Sequence, residues 1–347
     1  MNTYIYIRPA RYQCTHCNGN PVTTQTLNWY DPRSPHTKTY EGHVLLEMVN
    51  STVEDVSIKE GLGYEAVMGI LYRYIDTEVN WDRIDRLDTI GLDEISLKKG
   101  RKDFVTIVTS RVDGKTTILA VLKGRKKKTV KEFLSSIPKR LKKTVKGVCS
   151  DMYEGYINAA AEVFEKDVII IVDRFHVAKL YRNDLDGLRK KEMKRLKKEL
   201  SEEEYKKLEG VMWMLRKDAK ELTDEKLEVL KCLFQHSPIL ELAYKLCNDL
   251  TDIFKEDIPK SAATRKINDW MKKVEESSLK CFNKFLSTLD KYMDKITNYF
   301  TNRQTSGFVE GLNNKIKVIK RRCYGILNVK NLFQRIYLDL EGYSLYA

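Results

Sequence analysis

The sequence lacks long hydrophobic runs. No segment reaches the length of about 18 consecutive uncharged apolar residues that marks a membrane-spanning helix. The first residues, MNTYIYIRPARYQC, also lack the apolar stretch and the small-residue cleavage site of a signal peptide. We therefore expect a cytoplasmic protein with no membrane partner.

Cysteine is sparse and mostly scattered. There are seven cysteines, an odd number, and only Cys14 and Cys17 stand close together, which excludes the disulfide framework of a small secreted protein. Cys14-Thr-His-Cys17 has the spacing of one half of a zinc ribbon, in which thiolates bind a tetrahedral Zn²⁺. The other half is missing, although His36 and His43 could substitute for it. We expect residues 1–42 to form an irregular, partial zinc-ribbon-like module.

Positive charge is abundant and concentrated. The chain has 62 Lys and Arg against 49 Asp and Glu, a net charge of +13. Between Lys98 and Lys146, 17 basic residues stand against three acidic ones, so the excess in this stretch exceeds that of the whole chain. Such a block suits a phosphate backbone, because release of condensed counterions drives binding. A solvated lysine-rich surface is the alternative. The candidates for backbone contacts are Arg125, Lys126, Lys127 and Lys128.

Residues 43–80 show helical spacing interrupted by glycine. Thr52 can cap the helix TVEDVSIKE, and Gly61-Leu-Gly63 separates it from YEAVMGILYRYI. This is the outline of a helix-turn-helix, whose second helix enters a DNA major groove, although a plain helical hairpin has the same pattern. We assign the reading of DNA sequence to the helix that begins near Tyr64.

From Thr89 the periodicity becomes that of strands. Three extended segments follow one another, and Asp113-Gly114, a strong hairpin turn signal, joins the last two. A helix from about 129 to 142, a strand ending at Asp151, a second helix and the apolar strand VIIIVD come next. Three antiparallel strands followed by helix, strand, helix and strand is the order of RNase H-like nucleases. We predict an α/β fold with an RNase H-like core, a mixed sheet flanked by helices.

The remaining chain is helical in pattern. Pro238 and Pro259 mark breaks in a charged helical stretch, and two further helices, about 305–322 and 329–340, end the chain. Because 347 residues exceed one average domain, we expect several modules. We divide the chain into the partial zinc module at 1–42, the helix-turn-helix at 43–80, the first part of the catalytic core at 88–178, a large all-helical insertion at 179–300 and the C-terminal core helices at 301–347.

Two aspartates stand where a metal site would need them. Asp93 lies in the middle of the strand IGLDEIS, where a buried charge is costly unless it is paired or bound to a metal. Asp151 follows a different strand at its carboxyl end, where α/β folds collect ligands. Cleavage of a phosphodiester by two metals requires such carboxylates. We predict that they hold two Mg²⁺ ions, which Mn²⁺ can replace.

A third acid is predicted on the helix TSGFVEGLNNKIKVIKRR. One stripe of this helix is apolar and can pack on a sheet, while Glu310 heads the other. An exposed helix with an ordinary glutamate is the alternative. The residues that we expect after Glu310 to contact DNA are Asn314, Lys317, Lys320, Arg321 and Arg322.

Five segments closely resemble the ISL-three family of bacterial insertion-sequence transposases. They are IGLDEIS, SDMYEGYINA, IIIVDRFHVAKL, TSGFVEGLNNKIKVIKRRCYGI and NVKNLFQRI, in the family's order and over about residues 43 to 347. The resemblance implies a DDE transposase, with Asp93, Asp151 and Glu310 in the positions of the two aspartates and the glutamate. It also implies a helical insertion between the second and third acids.

One further motif agrees with this resemblance, and one feature of the family is missing. Asp173-Arg-Phe-His176 looks like an acid-x-x-His element of related transposases, which would orient the scissile phosphate or support the metal ligands; satisfying backbone groups is the plain alternative. Family members also carry an earlier cysteine pair, so we expect an N-terminally shortened copy.

The function predicted from the sequence is metal-dependent cleavage and strand transfer at the ends of a mobile element. The partner would be double-stranded DNA, both element ends and target, in the bacterial cytoplasm near the nucleoid. Since two ends must be paired, we expect a homo-oligomer on DNA. The alternatives are a DNA-binding regulator that kept the fold but lost the reaction, and a structure-selective nuclease with the same core.

Overall fold

The computed structural model describes residues 4–98, 102–164, 168–302 and 307–347, except for the side chains of residues 102, 302 and 307–310. These residues form two compact units, one made of Met1–Glu78 with Ile316–Ala347 and the other of Val79–Lys315. In the described part of the chain, no helix is long and apolar enough to cross a membrane.

Seven strands occur within the described ranges. They are β1 (Arg11–Gln13), β2 (Val22–Thr24), β3 (Asp88–Lys98), β4 (Lys102–Val112), β5 (Lys115–Lys123), β6 (Val145–Ser150) and β7 (Ile169–Val172). The helices there are α1 (Lys38–Met48), α2 (Val53–Glu60), α3 (Tyr64–Tyr74), α4 (Lys127–Ser136), α5 (Lys139–Lys142), α6 (Glu154–Val163), α7 (Arg174–Glu199), α8 (Glu202–Lys206), α9 (Val211–Met214), α10 (Asp224–His236), α11 (Pro238–Lys255), α12 (Lys260–Glu276), α13 (Asn283–Thr297), α14 (Tyr299–Asn302), α15 (Gly307–Arg322) and α16 (Val329–Tyr346). Short 3-10 helices lie at Trp81–Arg83, Ala219–Glu221 and Lys280–Phe282.

The larger unit is built on a mixed five-stranded sheet with the order β5-β4-β3-β6-β7. Strands β3, β4 and β5 are antiparallel neighbours, whereas β6 and β7 run parallel to β3. Asp113 and Gly114 both have positive φ angles, 48° and 83°, as the predicted tight hairpin requires. A mixed sheet flanked by helices, consistent with an RNase H-like core, was predicted from the sequence and is confirmed.

Helices cover both faces of this sheet. One face packs on α4 and α6, where Leu92 and Val148 join Val130 and Ala159 in a buried cluster. The other face, along β6 and β7, is covered by helices α7 and α10 to α13. Cys149, Ile171 and Val172 of these strands join the buried residues of those helices in a second cluster. Because side chains alternate along a strand, Asp93 points away from the face that Leu92 occupies. The Asp93 side chain therefore lies on the face of the sheet that α7 and α10 to α13 cover along β6 and β7.

Three sequence-based element boundaries were wrong. The helix expected from 129 to 142 is divided into α4 and α5, because Pro138 forces Ile137 into an extended conformation (φ −60°, ψ 126°). The segment 1–42 contains strands β1 and β2 and the start of α1, where Thr37 caps the helix. The last helix continues to Tyr346. The breaks predicted at the two prolines after residue 178 are confirmed, since Pro238 begins α11 and Pro259 caps α12.

The smaller unit combines the N-terminal helices with the C-terminal helix. Thr52 caps α2 as predicted, by accepting a hydrogen bond from the Asp55 amide (3.0 Å), and α2 ends at Gly61 with φ 65°. Leu338 of α16 packs among the buried residues of α1, α2 and α3. The C-terminal core helices were expected to begin at residue 301, whereas the two compact units of the structure divide between Lys315 and Ile316.

A buried ionic network ties α16 to the turn after α1. Arg335 is 3% exposed and donates to the carbonyl oxygens of Met48 and Ser51, at 2.9 and 2.7 Å. Asp339, equally buried, lies 3.7 Å from Arg335 and accepts a hydrogen bond from Arg322. One carboxylate thus faces two guanidinium groups away from solvent.

We expect Asp339→Asn to destabilise the protein by about 3–5 kcal/mol, because it leaves two poorly solvated guanidinium groups without their counter-charge. Urea unfolding, followed by circular dichroism, measures the change. The control is Glu47→Gln, which breaks an exposed ion pair with Lys59 (3.7 Å) and should cost less than about 1 kcal/mol. Equal effects of the two substitutions would contradict a structural role for the buried network.

Candidate active site

The pairing of β3 with β6 brings the two predicted aspartates together. Leu92 on β3 is the register partner of Ser150, the last residue of β6. Asp93 and Asp151 each follow directly, so both carboxylates come to the same point of the sheet. Ligand atoms of Asp93, Asp151 and His176 all lie within 4.8 Å of one another, and no other such group of three potential metal ligands occurs among the described residues.

His176 is held in place by Asp173, which ends the neighbouring strand. The Asp173 amide donates to the Ser150 carbonyl (2.9 Å), and the Asp173 carboxylate caps α7 by accepting from the Phe175 amide (3.0 Å). Its other oxygen lies 3.0 Å from Nδ1 of His176, and this hydrogen bond is the main cause that raises the pKa of the imidazole. With Nδ1 engaged, Nε2 is the nitrogen that can reach a metal ion or a phosphate.

Asn313 also contacts the site, and the sequence did not single it out. Its Nδ2 donates to Oδ2 of Asp93, while the Glu94 amide donates to Oδ1 (2.7 Å). Asn313 is 7% exposed, and among the described residues its Oδ1 has no hydrogen-bond partner. Asn314, which we had predicted to face DNA, is exposed. A signal was present in the sequence, because Asn313 lies three residues after Glu310 and shares its helix face.

Burial dominates the electrostatics of the two aspartates. It raises the pKa of Asp93 to about 6 and also raises the pKa of Asp151. Two carboxylates that are withdrawn from water and close to each other favour protonation unless a cation is bound. Two carboxylates and an imidazole are donors that suit a divalent metal ion. The residues present therefore fit the metal site that the sequence predicted.

The third predicted acid lies on α15. Its backbone is described, but the side chain of Glu310 lies outside the described residues. Its role as a metal ligand stays a prediction.

The predicted DNA-contacting cations occupy different surroundings. Arg125 is ion-paired with Glu94 (2.9 Å) and Lys127 with Glu162. Lys126 occupies the N-cap position of α4 without a capping hydrogen bond from its side chain. Lys128 is largely exposed and lies 4.0 Å from Glu132. On α15, Lys317 and Arg321 are exposed, Lys320 is half-buried with its pKa lowered by burial, and Arg322 is bonded to Asp339. Tyr64, in the first turn of α3, is 47% exposed.

The cysteine pair remains incomplete as a zinc site in the described residues. Cys14 is a half-buried free thiol and Cys17 an exposed one. His43 lies 3.1 Å from Glu60, and His36 stacks near Tyr40. Neither histidine is grouped with the two thiols as a set of metal ligands.

We expect Asp93→Asn to stabilise the metal-free protein at pH 7.5. Because the folded pKa of Asp93 is about 6, above its ordinary value, the contribution of Asp93 to stability is greatest below about pH 4 and is lost as the pH rises to 6. Asparagine avoids this loss, which amounts to about 3 kcal/mol at pH 7.5 for a pKa raised from 3.8 to about 6. Thermal unfolding in EDTA should therefore show a higher Tm for the variant, and the difference should shrink between pH 7.5 and pH 4.5.

The control for this measurement is Asp82→Asn, at a fully exposed carboxylate. It should leave the Tm nearly unchanged at both pH values. A lower Tm for Asp93→Asn at pH 7.5 would show that the charged form of Asp93 is not disfavoured in the fold.

Comparison with known proteins agrees with this geometry. A family model of transposases, the ISL3 type of DDE transposase, matches residues 90–336. The transposase of insertion sequence element IS1001 from Bordetella parapertussis is 24% identical over 339 residues, which cover 97% of this chain and 81% of that protein. The transposase of insertion sequence element IS1557 from Mycobacterium tuberculosis is 21% identical over 348 residues, covering 94% and 77%. The match includes both aspartates, His176 and the helix that carries Asn313, and the chain belongs to the ISL3 family of DDE transposases, enzymes that cut DNA and transfer the cut strand.

Proposed function

We propose that Asp93, Asp151 and Glu310 are the catalytic acids of this transposase and hold two Mg²⁺ ions, for which Mn²⁺ can substitute. The observation that carries the proposal is the approach of Asp93, Asp151 and His176 to within 4.8 Å of one another on neighbouring elements. Two half-buried carboxylates with raised pKa values are a poor arrangement for the empty protein and a good one for binding cations.

The position of residue 310 on α15 supports its inclusion. Asn313 contacts Asp93, so this face of α15 is directed at the carboxylates. Residue 310 lies one helical turn earlier on the same face, since residues three apart are neighbours on a helix surface. A carboxylate at that position is well placed to complete the site.

The reaction at this site is hydrolysis followed by transesterification. A water oxygen bonds to phosphorus as the bond to the 3′ oxygen breaks, leaving a 3′-hydroxyl and a 5′-phosphate. That hydroxyl then attacks a phosphodiester of the target, and the target's own 3′ oxygen leaves. Two divalent ions held by Asp93, Asp151 and Glu310 would supply activation of the nucleophile and stabilisation of the charge on the leaving oxygen.

The protein's own residues supply alignment. Asp93 is fixed by hydrogen bonds from the Glu94 amide and Asn313, and Asp151 accepts from the Tyr153 amide (2.9 Å). His176, oriented by Asp173, presents Nε2 and donates to an oxygen of the scissile phosphate when protonated. Fixing these groups before the DNA arrives lowers the cost of aligning them in the transition state.

Other parts of the chain are proposed to recognise and pair the DNA ends. Helices α2 and α3, joined through Gly61 in its left-handed conformation, fit a helix-turn-helix with α3 in the major groove. The segment from α7 to α14 would be the helical insertion between the second and third acids. Pairing two ends requires at least two copies of the chain on DNA, and Mg²⁺ is expected to be the ion used in the cell.

The catalytic proposal predicts that Asp93→Asn, Asp151→Asn and Glu310→Gln each reduce cleavage by about 10³-fold or more, while binding of element-end DNA persists. Cleavage is measured on a duplex that carries the terminal repeat of the chain's own element, with Mg²⁺, Mn²⁺ or Ca²⁺. We expect activity with the first two ions. The exposed acids Asp82 and Glu132 provide the matched controls Asp82→Asn and Glu132→Gln, which should retain activity. Wild-type-like cleavage by any of the three acid variants would remove that residue from the catalytic set.

The DNA-reading proposal predicts that Tyr64→Ala reduces the preference for element-end over scrambled DNA by about tenfold, because contacts to bases carry sequence information. Fluorescence anisotropy with the two duplexes measures this ratio. Lys317→Ala is the comparison, since loss of a phosphate contact should weaken binding to both duplexes equally. An unchanged ratio for Tyr64→Ala would assign sequence reading to another residue.

A further inference from the structure

We propose that Asn313 is a positioning residue that sets the affinity of the site for divalent cations, by holding Asp93 in the conformation that binds them. The proposal rests on the proposed function, because it takes Asp93 as a cation ligand. It concerns cation binding to the chain before any DNA is present. It also gives α15 a part in the site that does not depend on the side chain of Glu310.

The Asp93 side chain is held from two directions. Its Oδ1 accepts from the amide of the next residue, Glu94 (2.7 Å), and its Oδ2 accepts from Nδ2 of Asn313, 220 positions away in the sequence. In the part of the chain that the structure describes, Asn313 supplies the only hydrogen bond to this carboxylate from another element. Because each oxygen has its own donor, the carboxylate cannot rotate without breaking one of the two bonds. The conformation of Asp93 therefore depends on its contact with α15.

A neutral amide is suited to hold a carboxylate that must also bind a cation. Each carboxylate oxygen has two lone pairs, so one donor on each oxygen leaves further lone pairs for a metal ion. A lysine or arginine at position 313 would offset the negative charge of Asp93 and compete with the cation, whereas an amide orients the carboxylate and leaves its charge in place. Groups that donate hydrogen bonds to ligating carboxylates commonly act in this way.

The other polar atom of Asn313 indicates that this amide does not serve the stability of the fold. Asn313 is 7% exposed, and its Oδ1 has no hydrogen-bond partner among the described residues. A buried acceptor without a partner is destabilising, so an amide that served stability would have both of its polar groups bonded. The contact with Asp93 is the one described interaction that uses the polarity of this side chain.

The same helix offers two matched controls. Asn314 is the same residue type at the next position, and it is exposed. Successive residues of a helix point about 100° apart, so a substitution at Asn314 leaves the contact with Asp93 in place. Leu312, on the other side of Asn313, is 7% exposed and apolar. Shortening Leu312 loosens the packing of α15 without removing a hydrogen bond.

The test measures Mn²⁺ binding to the full chain without DNA, by the electron paramagnetic resonance signal of the free ion, together with the Tm in EDTA. We expect Asn313→Leu to weaken Mn²⁺ binding by about tenfold or more, as is typical when a residue that orients a metal ligand is lost. Asn314→Leu should bind Mn²⁺ like wild type. Leu312→Ala should lower the Tm more than Asn313→Leu does, because it leaves a cavity, and should keep most of its Mn²⁺ affinity.

Two results would overturn the proposal. Unchanged Mn²⁺ affinity in Asn313→Leu would show that cation binding does not depend on the amide. An equal loss of affinity in Leu312→Ala would show that cation binding follows the packing of the helix. Asn313→Ala, which removes the amide without adding a larger apolar group, should lose as much affinity as Asn313→Leu, and wild-type affinity in this variant would also contradict the role of the amide.

Asp93→Asn in the same titration separates this proposal from the assignment of the active site. If Asp93→Asn binds Mn²⁺ like wild type, Asp93 is not a ligand and the assignment itself fails. If Asp93→Asn loses affinity while Asn313→Leu keeps it, only the role of Asn313 fails. The double variant should bind as weakly as Asp93→Asn alone, because Asn313 acts through Asp93. A further loss in the double variant would make the amide a ligand in its own right and overturn its positioning role.

Discussion

The parallel pairing of β3 with β6 is the constraint on which the candidate active site depends. It aligns Leu92 with Ser150, so the next residue of each strand carries its carboxylate to the same place. Every other contact of the site is made to this pair or to its neighbours: Asn313 and the Glu94 amide to Asp93, the Tyr153 amide to Asp151, and Asp173 to the end of β6. A shift of this register by one residue would turn the Asp93 side chain to the opposite face.

The same pairing accounts for an electrostatic cost. The two carboxylates are half-buried, and this burial raises the pKa values of both. Sites of this kind are stable arrangements for the bound metal and unfavourable ones for the empty protein. Metal binding therefore favours the two carboxylates, whereas folding of the metal-free protein disfavours them. Burial in the rest of the core must offset the folding free energy that the two carboxylates cost.

Much of the larger unit could be predicted because local signals and tertiary structure agree there. The alternation in IGLDEIS, the Asp113-Gly114 turn and the uniformly apolar VIIIVD each fix one element, and together they fix the sheet order. The two aspartates stood out because a charge in a strand and an acid at a strand end both need an explanation. The break at Pro138 was also readable, but the apolar spacing on either side of the proline outweighed it in our interpretation.

The features that could not be predicted depend on contacts between segments that lie far apart in the sequence. Asn313 rather than Asn314 faces Asp93, because the rotation of α15 is set by what it packs against and not by its own stripe of apolar residues. The partnership of Arg125 with Glu94 joins residues 31 positions apart and was hidden within a run of basic residues. The length of α16 follows from burial against α1, with Gly342 so close to Val49 that an added Cβ would come within 2.6 Å of it.

Asp173 has three structural roles: its amide donates to Ser150 at the end of β6, and its carboxylate caps the 26-residue helix α7 and orients His176. Asp93, by contrast, accepts hydrogen bonds only from the Glu94 amide and Asn313 among the described residues. A substitution of Asp173 would therefore disturb the start of α7 and the orientation of His176 together, whereas a substitution of Asp93 would leave both in place.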